Sequence, residues 1–513
     1  MSIRRKAWII AGRILLGFFA TLILLALLLK IFCTEENWRG RRALAHCERE
    51  LRARGEKLDL ATFVPPLVPD AENFAMAPLL APLAKASRQD LDRNPKPPGS
   101  PLERLDKVRL QWVGDSKPFP PGSGDYEIGK PTDLVARQRY LQKDPQQNSV
   151  ANQREAARAV LGWLTRWSPE LEEFSIAANR PYARFPLDYS KGFAVPVPHL
   201  IYLLRFAQVY YLRAIAALEA GDTASALRDL KTLDRMQAAI RSEPLLVSYL
   251  VRIAIIKLLM QPVWQGSVEH FWDEDQLRGI QAMLARIDLI VDYARVVRGK
   301  RAIGNIMYEK FRASRRPMGS IISEYFSWLE TPRQFSILAF LPSEAVLCQN
   351  QASSERWVQD YVLPVVDASA HRIYPARQKE AVRVNDETKS TPYNVLSKLT
   401  ARGTDSLPIR TATAQVAIDE AVVACALERF RLRTGQFPNA LDALVPDYLP
   451  AIPHDLIGGA PLRYRRESDG NYLLYSVGWN EVDDGGVIVP KSAEHPGRDN
   501  EKGDWVWPST EVK

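Results

Sequence analysis

An uninterrupted apolar run near the N-terminus constrains this chain more than any other feature. Residues 14–29 carry no charge, and the next three residues, ending at Phe32, extend the run to about the 20 residues that a bilayer-spanning helix needs. Arg13 and Lys30 flank the run and can extend their charged ends to the two membrane interfaces. We therefore predict an N-terminal membrane anchor over residues 1–33.

Two other interpretations of this run stay open, a cleaved signal peptide and a buried helix. The basic residues 4–6 would suit the start of a signal peptide. However, no pair of small residues at cleavage-site spacing closely follows the apolar core, and the bulky residues 30–32 before Cys33 do not resemble a lipoprotein processing site. The sequence therefore favours an uncleaved anchor.

The orientation of this anchor depends on the basic residues at its two ends. Four precede the run and four follow it, so the positive-inside rule comes close to a tie. They are Arg4, Arg5, Lys6 and Arg13 on one side, and Lys30, Arg39, Arg41 and Arg42 on the other. The short N-terminal tail and the acidic pair Glu35-Glu36 favour a cytoplasmic N-terminus, with the bulk of the chain outside the cytoplasm.

Composition excludes several functional classes. The 513 residues contain 46% apolar residues, which is ordinary for a globular protein, and a net charge of +8. That charge is spread over the whole chain and partly flanks the membrane, so we predict no nucleic-acid partner. The 4 cysteines form no Cys-x-x-Cys pair, which argues against a disulfide scaffold or a zinc module.

Residues 34–150 are predicted to form a juxtamembrane helix followed by a Pro-rich, extended region. Thr34, with two glutamates behind it, suits a helix start, and the charged helix would end near Gly55 as a stalk. Beyond it, repeated prolines break any long helix and indicate a loop-rich segment.

Residues 151–400 are predicted to form a helical body. Its clearest element is a mostly buried helix over 201–218, which Gly221-Asp222 would end and after which Thr223 would cap the next helix. Residues Tyr210 to Met236 resemble one tetratricopeptide unit, although no second copy occurs at the 34-residue period. A plain helical hairpin in a larger bundle is the alternative.

A second apolar stretch, Leu245 to Met260, does not predict a second membrane span. It is only about 16 residues long, and Arg252 and Lys257 lie near its middle. We predict a buried core helix there.

Residues 405–513 are predicted to form a small α+β module. A helix over 412–434 would end at Gly435, and two strands over 461–465 and 472–477 would pair through the turn at 468–471. The predicted fold class of the chain is therefore mainly α, with a transmembrane helix, a helical body and a small antiparallel sheet packed on a helix.

This module contains, in order, the segments ALERFRLRTGQFP (426–438), LDALVPDYL (441–449), LRYR (462–465) and YLLYSVG (472–478). Over about 95 residues these segments resemble the globular domain of the major pseudopilins of type II secretion systems. Two features depart from that family: its methylated N-terminal helix is absent, and Asp455-Leu456-Ile457-Gly458 stands where the family has Asp-Pro-Trp-Gly. The resemblance therefore implies the fold of the module and not its assembly into a filament.

The resemblance also implies a calcium site, because that family binds Ca²⁺ in the loop after the hairpin. Carried over to this chain, its ligands are Asp483 and Asp484, with Asp504 from the returning segment. Carboxylate oxygens on a flexible loop suit a hard cation. Residues 480–482 differ from the order usual in the family, so a solvated acidic turn is the alternative. No other cofactor is expected.

No catalytic motif stands out. The six histidines never pair at metal-ligand spacing, and His270 beside Asp273 is better explained by a helix start. We predict a membrane-anchored bacterial envelope protein of structural or protein-interaction type, with the membrane and an envelope protein as partners. The alternatives are an accessory component of a type II secretion or pilus-like system, and a membrane-anchored hydrolase whose site no motif exposes.

Overall fold

Helices dominate the described part of this protein, where all strands but one short pair lie beyond residue 460. The computed structural model describes residues 3–86, 88–92, 95–110, 121–142, 150, 152–314, 343–491 and 497–508. The α-helices are α1 (Ile3–Ala53), α2 (Ala81–Lys85), α3 (Arg88–Asp92), α4 (Pro101–Lys107), α5 (Leu134–Gln142), α6 (Gln153–Leu164), α7 (Ser168–Ala178), α8 (Pro198–Ala220), α9 (Thr223–Ala239), α10 (Leu246–Val268), α11 (Glu274–Leu284), α12 (Leu289–Ser314), α13 (Ser343–Trp357), α14 (Pro375–Glu387), α15 (Val395–Ala401) and α16 (Leu407–Thr434). The β-strands are β1 (Val366–Asp367), β2 (Arg372–Ile373), β3 (Arg463–Arg466), β4 (Tyr472–Ser476), β5 (Ile488–Pro490), β6 (Arg498–Gly503) and β7 (Trp505–Trp507). The predicted fold class, mainly α with a C-terminal α+β module, is confirmed.

The chain forms two compact units that interleave along the sequence. Unit 1 contains Met1–Asp59, Arg301–Tyr361 and Val382–Thr404, and unit 2 contains Leu60–Lys300, Val362–Ala381 and Asp405–Lys513. Each unit therefore draws on separate stretches of the chain, whereas the four segments expected from the sequence are contiguous.

The N-terminal helix of unit 1 is unbroken from Ile3 to Ala53, so the predicted helix start at Thr34 is wrong. The Thr34 hydroxyl donates a hydrogen bond to the carbonyl oxygen of Lys30 at 2.8 Å, which is the bonding of a helix interior. The most apolar window of α1 has a mean hydropathy of 2.7 and no buried residue. This long apolar helix therefore has the length and composition of a membrane anchor.

The C-terminal half of α1 packs against α13 instead of forming a free stalk. The Ala345 amide donates to the Asn37 side chain at 3.0 Å, and the Cys47 thiol donates to the Ala352 carbonyl at 3.6 Å. Because the contacts advance in the same direction along both helices, the two helices are parallel. Gly40 permits their close approach, since a Cβ there would lie 2.9 Å from the Cα of Ala345.

Two apolar clusters hold unit 1 together, and both use α13. The first joins α1 to α13 and contains Leu44, Cys47, Leu51, Leu58, Cys348 and Ala352. The second joins the end of α12 to α13 and α15 and contains Met307, Tyr308, Phe311, Val346, Leu347 and Leu396. Burial of these side chains supplies the hydrophobic stabilisation of the unit.

Unit 2 is built from two layers of helices. In the first layer, α5, α6, α8, α10 and α16 pack side by side in that order. In the second layer, α9 packs against α8 and α10, α7 packs on α9, and α11 packs on α16 and α9. Since α8 and α10 are covered by neighbours, their apolar side chains face the interior of the unit.

The predicted hairpin of α8 and α9 is present, with a cap that differs from the expectation by one residue. Gly221 adopts φ +87°, and Asp222 rather than Thr223 caps α9, since its side chain accepts the Ser225 amide at 2.9 Å. Among the residues that the structure describes, three helices, α1, α8 and α10, are long and apolar enough to cross a membrane. In α8 and α10, 72% and 61% of the apolar window is buried, as expected for core helices.

The Pro-rich region after residue 60 belongs to unit 2 and packs on its helices. It contains only short helices and turns, as its prolines predict, but Phe74 is fully buried. The Phe74 ring lies 5.2 Å from that of Phe174 and 6.3 Å from that of Phe185, edge to face. Residues 111–120 and 143–149 of this region lie outside the described residues.

The C-terminal module has the predicted helix and hairpin. Helix α16 ends at Gly435, with φ +85°, and strands β3 and β4 pair antiparallel with Arg463 opposite Tyr475. Strand β7 adds to the other edge of β4. The buried Trp507 of β7 lies in the layer between this sheet and α16, which packs on β4 and β7.

Candidate functional site

A cleft of about 550 Å³ opens between α7, α8 and α9 of unit 2. Its residues are Leu161, Ser168, Leu171, Glu172, Ser175, Ala178, Asn179, Arg213, Ala217, Asp222, Ser225, Arg228, Asp229, Lys231, Thr232 and Arg235. The α8–α9 hairpin supplies nine of these sixteen side chains, so the cleft lies mainly on the segment whose sequence resembles a tetratricopeptide unit.

A paired arginine and aspartate line the α8–α9 side of the cleft. The Arg213 guanidinium donates two hydrogen bonds to the Asp229 carboxylate, one at 2.8 Å, and lies 4.8 Å from the centre of the Tyr210 ring. Burial favours the neutral form of Asp229 and raises its pKa, although Arg213 opposes this shift. Because each charge has its partner inside the protein, this pair orders the cleft and is not free for a ligand.

One wall of the cleft is basic. Arg228, Lys231 and Arg235 follow each other at spacings of three and four residues, so they share one face of α9. Arg235 donates to the carbonyl oxygens of Ala178 and Arg180 and thereby joins α9 to the end of α7. The exposed Arg228 and Lys231 are the cations that a ligand in the cleft can reach.

The opposite wall is polar and comes from α7. Ser168, Glu172, Ser175 and Asn179 share one face of that helix at helical spacing. Glu172 is exposed, whereas the Ser175 hydroxyl bonds to the Tyr210 hydroxyl at 2.8 Å. The α9 wall is thus basic, whereas the α7 wall carries hydroxyl and amide groups and the Glu172 carboxylate. Such a cleft is suited to a polar segment whose acidic groups face α9.

A second polar cluster in unit 2 gathers acid–base groups from distant parts of the chain. The His371 Nε2 lies 3.6 Å from the Asp288 Oδ1, and both side chains are about one third exposed. His371 has φ +49°, a backbone conformation that residues other than glycine rarely adopt. The His454 Nε2 is 3.0 Å from the His371 carbonyl oxygen, and the Gln415 amide donates to the Asp419 Oδ1 at 2.9 Å.

The groups of this cluster have perturbed pKa values. The hydrogen bond to Asp288 raises the pKa of His371, and burial raises the pKa of Asp419 to about 7. Burial by itself would also raise the pKa of Asp288. Hydrogen bonds from His371 and from the amides of Ile290 and Val291 outweigh burial and hold this pKa below its ordinary value. The cluster can therefore exchange protons near neutral pH.

These shifts give unit 2 a defined pH dependence. The folded chain retains a proton at Asp419 that the unfolded chain releases above its ordinary pKa of 3.8. The folded state thus binds more protons between pH 3.8 and about 7, so its stability falls as the pH rises through that range. The contribution of His371 has the same sign: it is fully present below pH 6.5 and is lost as the pH rises through the raised pKa.

The residues predicted to bind calcium lie around the loop after β4, hereafter the acidic loop (residues 480–487). Asp504 accepts backbone amides of this loop, from Gly486 at 2.6 Å and from Asp484 at 3.3 Å. The Asn480 side chain donates to the Asp484 carboxylate at 2.9 Å. These bonds connect the loop to the segment before β7.

Asp483 is held on the strand side of the acidic loop. Its carboxylate accepts the Tyr475 hydroxyl at 2.9 Å and forms an ion pair with Arg463 at 3.1 Å. A cation would have to compete with Arg463 for this carboxylate. Among the described residues, no group of three His, Cys, Asp or Glu side chains is arranged to hold a metal ion. Calcium binding remains a prediction from the resemblance.

Comparison of the chain with protein-family models, with curated proteins and with solved structures finds no match. The functional interpretation of the site therefore depends on its geometry alone. The sequence contained one signal for the cleft, the break at Gly221 and Asp222. It contained none for His371 and Asp288, because residues 83 positions apart meet only after folding.

His270 has the structural setting that the sequence indicated. Asp273 caps α11, where the side chains of Asp273 and Gln276 bond reciprocally to backbone amides as a capping box. The His270 Nδ1 contacts the buried Glu428 carboxylate at 3.1 Å. The acidic residues after His270 are thus accounted for by the start of a helix.

Proposed function

We propose that this chain is a membrane-anchored bacterial envelope protein that acts by protein interaction, and that the cleft between α7 and α9 binds an acidic segment of its partner. The exposed basic face of α9 is the observation that carries this proposal. Asp229 is already paired with Arg213, and Asp222 caps α9, so the acidic groups on the α9 side are engaged internally. Arg228 donates to the Ser225 hydroxyl at 2.6 Å but stays exposed, as does Lys231. Both cations can attract carboxylates, and steering by charge raises the association rate.

Charge reversal in the cleft tests this proposal. The double variant Arg228→Glu/Lys231→Glu should bind a labelled glutamate-rich peptide about tenfold more weakly in fluorescence anisotropy, which corresponds to about 1.4 kcal/mol. Reversal of two exposed cations outside the cleft, Lys379→Glu/Arg410→Glu, is the matched control and should leave the affinity unchanged. Equal losses in both variants would show that only net charge matters.

Crosslinking from the cleft can identify the natural partner. A photo-crosslinking amino acid at Ser175, on the α7 wall, should capture an envelope protein from intact membranes. Capture should disappear in the Arg228→Glu/Lys231→Glu variant and persist in the control variant. A capture that survives charge reversal would contradict binding in the cleft.

The proposed topology places the N-terminus in the cytoplasm and the bulk of the chain outside it. The acidic pair after the apolar run of α1 supports this orientation. A C-terminal alkaline phosphatase fusion should be active, because that enzyme needs an oxidising compartment. A silent phosphatase together with an active cytoplasmic reporter would reverse the topology.

The C-terminal module supports a second candidate role, as an accessory component of a type II secretion or pilus-like system. Helix α16, the β3–β4 hairpin and β7 follow in the order expected from the resemblance to pseudopilins. Co-purification of pseudopilins with the full chain from crosslinked membranes would support this role. Their absence from all such preparations would contradict it.

A further inference from the structure

The folded part of unit 1 begins very close to the end of the apolar run of α1. Phe32 is the last residue of that run, and Glu36 is the first buried residue after it, at 8% exposure. Four residues of helix correspond to about 6 Å. A headgroup layer is about 5–7 Å thick on each side of the hydrocarbon core. With the apolar run in the bilayer core, the first turn of α1 that packs against the rest of unit 1 lies among the lipid headgroups.

Two of the basic residues in this region are neutralised by the protein itself. Arg39 forms ion pairs with Glu35 at 3.4 Å and with Glu36 at 3.2 Å. Arg41 forms an ion pair with Glu344 of α13 at 3.4 Å. These contacts order the base of unit 1 and leave little charge for a ligand.

Arg42 has a different environment. Its guanidinium lies over the indole of Trp38, 5.1 Å from the ring centre, and Trp38 is 50% exposed. Lys30 lies on the membrane side of Trp38, where a surface depression of about 560 Å³ is lined by Lys30, Ile31, Thr34, Glu35 and Trp38. Within the described part of the chain, neither Lys30 nor Arg42 has a carboxylate at ion-pair distance.

We propose that Lys30, Trp38 and Arg42 form a surface of α1 that binds the phosphates of anionic phospholipid headgroups. Arg42 points back along α1 toward the membrane, because helical side chains tilt toward the N-terminus and its guanidinium lies over Trp38, one turn earlier. Lys30, near the end of the apolar run, lines the depression beside Trp38. A guanidinium fork fits phosphate oxygens, and tryptophan is favoured at the level of the headgroups. This inference rests on the proposed anchor and is independent of the cleft in unit 2.

A lipid is favoured over a protein partner by the position of these residues. Lys30 and Trp38 are separated by eight residues, or about 12 Å of helix, which is comparable to the distance from the hydrocarbon edge to the outer headgroup region. A phosphate is always present at that depth. The site thus supplements the hydrophobic anchor with recognition of lipid charge.

The test uses the full chain in nanodiscs of phosphatidylcholine alone or mixed with phosphatidylglycerol. Native mass spectrometry should show preferential retention of phosphatidylglycerol, and Lys30→Gln/Arg42→Gln should reduce that preference by roughly tenfold. The matched control is Arg49→Gln, because exposed Arg49 lies on the same face of α1 about 10 Å further from the span. Equal retention of both lipids, or an equal loss in Arg49→Gln, would overturn the proposal.

Four further measurements separate a specific site from other causes. Hydrogen exchange over residues 44–51 should be the same in all variants, which shows that α1 and α13 remain packed. Arg42→Lys, which retains the charge without the guanidinium fork, should give an intermediate preference. Inorganic phosphate should fail to displace the lipid, and release of the whole chain from membranes at alkaline pH would refute the anchor together with this site.

Discussion

A buried ion-pair network in unit 2 allows a quantitative test of how its helices are held together. The Asp292 carboxylate accepts guanidinium hydrogen bonds from Arg252 at 2.6 Å, Arg241 at 2.8 Å and Arg295 at 3.0 Å. Asp292 and Arg252 are 3% and 1% exposed. Arg252 has one further partner, the Gln237 side chain at 2.8 Å. The acid therefore has three cationic partners, whereas Arg252 has one carboxylate.

Because the two residues differ in their number of charged partners, the two single substitutions should lower the free energy of unfolding by unequal amounts. Asp292→Asn leaves the Arg252 charge buried without a carboxylate, which should cost about 3–5 kcal/mol. Arg252→Met leaves Asp292 with its two more exposed arginines, so the cost should be limited to about 1.5–3 kcal/mol, the contribution of a charged hydrogen bond. The double variant Arg252→Met/Asp292→Leu removes both buried charges and should be less destabilised than Asp292→Asn alone.

The assay must report on unit 2 alone, because the chain has two compact units and a single melting midpoint would mix them. Hydrogen exchange of α10 peptides at increasing urea, measured on the full chain in detergent, gives the opening free energy of this region. Two results would refute the reasoning. One is a greater loss of opening free energy in Arg252→Met than in Asp292→Asn, and the other is a double variant that is destabilised as much as Asp292→Asn or more.

Three further predictions concern other parts of the molecule. Asp419→Asn should stabilise α16 by on the order of 4 kcal/mol at pH 8 and have little effect at pH 4, because burial raises the pKa of Asp419 from 3.8 to about 7 and each unit of pKa shift corresponds to about 1.4 kcal/mol. Hydrogen exchange measures the effect, and a pH-independent effect would contradict this. Gly40→Ala should destabilise the α1–α13 contact by about 1–2 kcal/mol because its Cβ meets the backbone of Ala345, whereas Gly17→Ala, with no atom within 4 Å, should be tolerated. Calorimetric titration of the full chain with Ca²⁺ should show heat and protect the acidic loop if the resemblance to pseudopilins extends to metal binding, and a flat titration would remove that site.

The elements that could be predicted from the sequence are those specified by local signals. The apolar run of α1, the Gly221 break between α8 and α9, and the hairpin turn near Gly470 each depend on residues close together in the chain. Hydrophobic periodicity and glycine conformation act over a few residues, so these elements are visible without a fold. The cap at Asp222 was missed by one residue, because Asp and Thr are both good caps and only the backbone geometry selects one.

The stalk after the membrane run was wrongly predicted for a different physical reason. Its partner helix α13 lies about 300 residues further along the chain. The missing side chain at Gly40 has a structural role only because Ala345 packs against it. A charged helix with one small residue has the same local pattern whether it is solvated or packed. Sequence alone therefore specified the helix, but its partner remained undetermined.

The candidate sites depend still more strongly on tertiary structure. The sequence by itself determined an apolar N-terminal helix, a mainly helical body, a helical hairpin and a small α+β module, because propensity and periodicity are local properties. Only the tertiary structure placed α7 opposite α9, brought His371 to Asp288, and distinguished Arg39, which pairs with carboxylates, from Arg42, which lies over Trp38. Those relations are distances between side chains that chain order does not specify.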